Sequence, residues 1–110
     1  MTHTVTTQGN LQILALSGEI DMQTSPEVRR ILLDLVKTKS PILVNLAEVK
    51  YMDSSGVATL VEGLQSAKKQ GVAFSLAAPA GSVLGVIKLA RLDKVFRIFA
   101  SVAEYDEPTP

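Results

Sequence analysis

The chain has 110 residues, enough for one hydrophobic core without staples, and 46% of them are hydrophobic, which is a globular composition. Its 11 Lys+Arg balance 11 Asp+Glu, and no cationic run exceeds two residues, which argues against a nucleic-acid or membrane-surface binder. The lack of Cys removes disulfides, thiolate metal sites and cysteine nucleophiles together. Met1-Thr2-His3-Thr4 has neither a charged nor an apolar leader segment, and no apolar run approaches a membrane span, so a cytoplasmic protein without membrane insertion is expected.

Taken in order, residues 4–8 are β-branched and polar, Gly9-Asn10 offers a tight turn, and residues 11–17 are mostly apolar. This reads as a hairpin whose first strand is an edge. Thr24-Ser25-Pro26-Glu27 marks a helix start, with Thr24 and Glu27 at capping-box spacing and Pro26 in the first turn. Val28, Ile31, Leu32, Leu35 and Val36 then form one apolar stripe, with Leu33 at its margin. After Ser40-Pro41, the run Ile42-Leu43-Val44-Asn45-Leu46 suits a buried strand, followed by a loop through Tyr51.

The stretch Tyr51-Met52-Asp53-Ser54-Ser55-Gly56 opens the next helix. Val57, Leu60, Val61 and Leu64 recur at helical spacing, Lys68 and Lys69 suit the negative end, and Gly71 can take the left-handed stop. Residues 72–77 read as a strand, Ser82 as the cap of a helix to Leu89, residues 95–99 as a last strand and residues 101–105 as a turn of helix. Phe74, Phe96 and Phe99 are expected in the core, as strand residues. The order β-β-α-β-α-β-α-β implies an α/β fold with interleaved helices and a mixed, mostly parallel sheet carrying an N-terminal hairpin. One domain over residues 1–110 is expected, with its core at about 4–103 and a frayed tail at 104–110.

Catalysis finds little support. The corner at Ser54 and Ser55 lacks the leading glycine of a Gly-x-Ser-x-Gly elbow, and the one histidine, His3, is expected in a solvated terminus rather than as a fixed base. One His and no clustered carboxylates leave no metal site, and Gly81-Ser82-Val83-Leu84-Gly85 lacks the Gly-Lys-Ser/Thr ending of a phosphate loop. No cofactor and no enzymatic activity are expected. Asp53-Ser54-Ser55 would serve a helix simply as a cap. It also holds a hydroxyl where an anion formed on it, such as a phosphate, is locally welcome.

Gly18-Glu19-Ile20-Asp21 and Tyr51-Met52-Asp53-Ser54-Ser55-Gly56, with Val57, Leu60 and Lys69-Gln70-Gly71 following, resemble the motifs of STAS-domain anti-sigma-factor antagonists. The resemblance covers about residues 5–103. It implies a partner switch: the first serine after the aspartate, Ser54, is phosphorylated by an anti-sigma factor that is also a serine kinase. The unphosphorylated form binds that partner, and a serine phosphatase resets the cycle. Asp21, Asp53, Ser54, Ser55 and Gly56 are the implied partner-binding positions. The alternative within the same resemblance is a non-switching STAS subunit docking on the ATPase of a lipid-transporting ABC system. Val83, Leu84, Val86, Ile87 and Leu89 motivate it, being more apolar than a one-faced surface helix needs. Residues 83–89 would then form a patch for a partner or for self-association, unless the last strand and tail cover them.

Overall fold

A computed structural model describes residues 1–106. The elements are β1 (Thr2–Gln8), β2 (Leu11–Ile20), α1 (Ser25–Val36), β3 (Ile42–Met52), α2 (Ser54–Lys69), β4 (Phe74–Ala77), α3 (Gly81–Leu89), β5 (Arg97–Phe99) and a 3-10 turn at Val102–Glu104. The strands lie in sequence order β1-β2-β3-β4-β5; β1 and β2 are antiparallel and every later pairing is parallel. Each crossover steps one strand further in the same direction, so right-handed connections put all three helices on one face.

The burial follows that rule. Leu14, Leu16, Ile42, Val44, Leu46, Phe74 and Leu76 point to the helical face and pack with Val28, Leu32, Leu60, Val83 and Ile87. Residues of opposite parity, Leu11, Ile13, Leu43 and Ala77, form a smaller cluster on the other face, under Phe99, Val102 and Tyr105. The α1 stripe is buried as its spacing requires, and Leu33 is half-buried at its margin. Arg29 Nε donates to Glu62 Oε2 across α1 and α2, but both side chains are about half exposed, so the pair contributes little. Closer helix contact comes at Gly63, where a Cβ would sit 3.0 Å from Leu32 Cδ1 and 3.1 Å from Phe74.

Several expectations are corrected. β3 does not end at Leu46 but runs on to Met52. Its pairing with β2 slips between Ala15 and Ser17 and again between Gly18 and Glu19, so its buried positions move from Val44 and Leu46 to Val49 and Met52. An inward face that changes parity twice hides the period-2 signal. His3 is not in a loose terminus: it lies within β1, paired with Leu16. Thr24 precedes α1 without making a side-chain cap: its hydroxyl oxygen accepts from Asp21 N–H at 2.9 Å and its proton goes to the Glu19 carbonyl at 3.0 Å, so the hydroxyl serves the preceding loop. Ser82 caps nothing either, since α3 starts at Gly81 after Ala80. Phe74 and Phe96 are buried, but Phe96 precedes β5 rather than sitting in it, and Phe99 is only half-buried.

Phe99, Val102 and Tyr105 pack on the sheet face opposite α3, so these described residues of the last strand and tail do not cover α3. Val83 and Ile87 are buried against the sheet, Leu84 and Val86 are half-buried, and Leu89 is 87% exposed. Glu104 and Tyr105 are not frayed: Glu104 closes the 3-10 turn, and the Tyr105 ring packs tilted against Phe99 with ring centroids 5.2 Å apart. The rest of the expected frayed tail, residues 107–110, lies outside the described residues.

Candidate functional site

The C-terminal ends of β2 and β3 carry both motifs. Their last paired residues are Ile20 and Met52, and the next backbone amide, Asp53 N–H, donates to the Ile20 carbonyl at 3.2 Å. Asp21 and Asp53 therefore follow adjacent strand ends, and the sheet register brings the two motifs together.

Asp21 is half-buried and builds the loop into α1. Its Oδ1 accepts from Gln23 N at 2.9 Å and Thr24 N at 3.1 Å, while its own amide donates to Thr24 Oγ1 at 2.9 Å. This short network holds the loop by local side-chain bonding. Met22, at its tip, is 77% exposed.

Asp53 is the N-cap of α2. Its Oδ1 accepts from Ser55 N at 3.0 Å, Gly56 N at 3.2 Å and Ser55 Oγ at 2.5 Å. The Ser55 hydroxyl is the chief cause that holds the Asp53 carboxyl below its ordinary range; desolvation opposes it, and the Gly56 and Ser55 amides add to it. Ser55 is thus turned into the cap. Ser54, the first residue of α2, is exposed. Gly56 is buried where a Cβ would lie 2.6 Å from Met52 Cγ, 2.9 Å from Ile20 Cγ2 and 3.2 Å from the Ile20 carbonyl oxygen. Only glycine lets the first turn of α2 approach β2 and β3 this closely.

Beside Ser54 the surface dips into a groove of about 610 Å³ between α2 and α3, lined by Val57, Ala58, Val61, Val86, Leu89 and Leu92 among others. Ser54 and Glu62 are its polar members. The motifs alone did not single out this groove. Its one signal in the sequence was the apolar excess of α3, which spacing could not divide into buried Val83 and Ile87 and exposed Leu89. Tyr51, 51% exposed at the end of β3, adds a further aromatic surface to the same strand end.

The arrangement presents one exposed hydroxyl at a helix N-terminus, and the chain's one histidine is not beside it. His3 lies in β1, and β2 separates β1 from β3. Among the described residues no group of His, Asp and Glu is placed to hold a metal ion, and no helix is long and apolar enough to cross a membrane.

Known proteins share this architecture. A solved anti-sigma factor antagonist from Mycobacterium paratuberculosis is 25% identical and superposes with a TM-score of 0.86, covering 94% of this chain and 88% of its own. The Bacillus protein SpoIIAA matches in its unphosphorylated form (19% identical, TM-score 0.80, 94% and 91% covered) and in its phosphorylated form (18%, 0.72, 94% and 95%), a likeness of fold. In sequence, the anti-sigma-B factor antagonist of Bacillus subtilis (strain 168) is 34% identical over 61 residues. That match spans 56% of this chain and 56% of the curated relative's length. Residues 3–105 match the STAS domain, a span that takes in every strand from His3 onward, both strand-end motifs and the start of α2, and the chain belongs to that family.

Proposed function

We propose that this protein is an anti-sigma-factor antagonist whose docking to an anti-sigma factor is switched by phosphorylation of Ser54. The observation that carries the reading is the contrast between the two serines: Ser55 is bonded into the Asp53 cap, whereas Ser54 is exposed at the start of α2 beside an apolar groove. The relatives described as anti-sigma factor antagonists, and SpoIIAA in phosphorylated and unphosphorylated forms, support it.

Phosphate would add about −1.5 to −2 charge at Ser54. The N-terminus of α2 tolerates an anion, so the fold keeps its shape. A partner packed over the site must desolvate that charge. Left unpaired in an interface, it costs about 3–5 kcal/mol, a factor of roughly 10²–10³ or more in affinity. Asp21, Asp53, Ser55 and Gly56 shape the surface around the acceptor, and in this reading a serine kinase and a serine phosphatase write and erase the mark.

The test is incubation with the cognate serine kinase and ATP, followed by mass mapping. Phosphate on Ser54 and loss of partner binding by the modified form are expected; an authentic kinase that leaves Ser54 bare would overturn the reading. The exposed Leu89 and the groove favour one competitor, a constitutive docking subunit of a transport ATPase. In that case Ser54→Asp leaves complex formation intact.

A further inference from the structure

Among the described residues, β1 has an outer edge with which no strand pairs. It stands first in the sheet, hydrogen bonds to β2, and all seven of its residues are exposed. An edge of this kind is a template for another strand, and folded proteins usually guard it with charge, proline, a bulge or brevity. Thr2–Gln8 contains no Asp, Glu, Lys, Arg or Pro, and it pairs with β2 without a register shift. The opposite edge is guarded: β5 is three residues long and begins with Arg97, whose guanidinium lies over the Phe99 ring.

The register identifies the free backbone groups. Gly9, at φ +61°, and Asn10 form a two-residue turn, so the flanking pair Gln8 and Leu11 exchanges both hydrogen bonds. Counting back by twos, Thr6, Thr4 and Thr2 face β2 with their N–H and C=O groups, while those of Thr7, Val5 and His3 point outward. These outward residues are symmetric about Val5.

We propose that two copies of this chain associate through β1, antiparallel, about a two-fold axis at Val5, joining their sheets into one. His3 of either copy then pairs with Thr7 of the other, and Val5 pairs with its own equivalent. Each outward N–H meets an outward C=O, so the edge is its own hydrogen-bonding complement. No charged side chains are brought together, because the strand has none. The Val5 side chains, 42% exposed in the single copy, cover each other as a β-branched cross-strand pair. A charged foreign strand would lack this match. β1 is two strands away from β3, so the Ser54 surface is not used by the pairing.

Sedimentation equilibrium of the full chain, from micromolar to near-millimolar concentration, tests this. Wild type should move from one to two chain masses as concentration rises. Val5→Pro removes an N–H that β2 does not use, so it should keep the native circular dichroism while weakening the dimer at least about tenfold. Val5→Lys, which keeps the N–H but sets two like charges at the axis, should do the same and decides the matter if the proline variant fails to fold. Thr6→Pro, whose N–H lies in the ladder with β2, should instead lower the melting temperature. A chain that stays monomeric throughout overturns the proposal. So does a dimer that survives both Val5 variants, or one lost on Leu89→Lys instead. Ser54→Asp should leave the dimer unchanged, so the outcome is independent of the switch.

Discussion

The Ser55 hydroxyl donates to the Asp53 carboxylate at 2.5 Å, and the Ser54 side chain beside it remains exposed. Two adjacent serines thus differ: one closes the helix cap and the other stays open to solvent. The cap leaves the proposed acceptor uncovered.

The first consequence is a pH dependence. The Asp53 carboxyl is held below 3.8, chiefly by the Ser55 hydroxyl. A depressed carboxyl adds stability that is fully present above its unfolded value and is lost as pH falls through the folded value. Asp53 therefore stabilises the fold at neutral pH, and its contribution disappears in acid below 3.8. Ser55→Ala should move its NMR titration midpoint upward, toward 3.8. An unmoved midpoint would assign the depression to the backbone amides.

Gly56→Ala should destabilise the fold by about 1–3 kcal/mol in urea titrations. The new Cβ can push Met52 Cγ aside, but the Ile20 carbonyl it also meets belongs to β2. The start of α2 must then back away from the sheet, so partner binding should weaken along with stability. Unchanged urea midpoints would show that the close approach can relax.

Ser54→Asp should leave stability within about 1 kcal/mol of wild type, since an acid in the first turn favours the helix dipole while neighbouring Asp53 offsets it. Partner affinity should fall sharply, and Ser54→Ala should keep it. Calorimetric melting alongside a binding titration separates the two effects. A variant that melts far below wild type would mean that the residue serves the fold.

Two leucines provide a further contrast. Leu32 is 0% exposed, and Leu32→Ala should cost about 2–5 kcal/mol in a denaturant titration. Leu89 is 87% exposed, and Leu89→Ala should stay within about 0.5 kcal/mol. If the groove takes part in docking, the Leu89 variant should nonetheless bind the partner more weakly.

Elements with a steady period were legible in the sequence. The α1 stripe at Val28, Ile31, Leu32, Leu35 and Val36 is buried as spaced, and α2 opens at Ser54 and stops before Gly71, whose φ is +70°. Gly9-Asn10 marked the hairpin. The second half of β3 was not legible, because one pairing slip puts Val49 inward against the parity of Val44 and Leu46 and a second restores that parity at Met52. Thr24 had capping-box spacing with Glu27, yet the preceding loop engages its hydroxyl, which accepts from Asp21 N–H and donates to the Glu19 carbonyl. Sequence spacing cannot report that tertiary competitor. The strand-end residues from Asp21 to Gly56 could be named from their motifs, but the groove beside them needs α2 and α3 side by side.

The hydrogen bond from Asp53 N–H to the Ile20 carbonyl fastens the start of α2 to the end of β2. If Ser54 is the acceptor we propose, charge arriving at its hydroxyl meets a helix start already tied to the sheet. In that reading, information written there leaves as altered electrostatics at the surface, and erasing it requires no refolding.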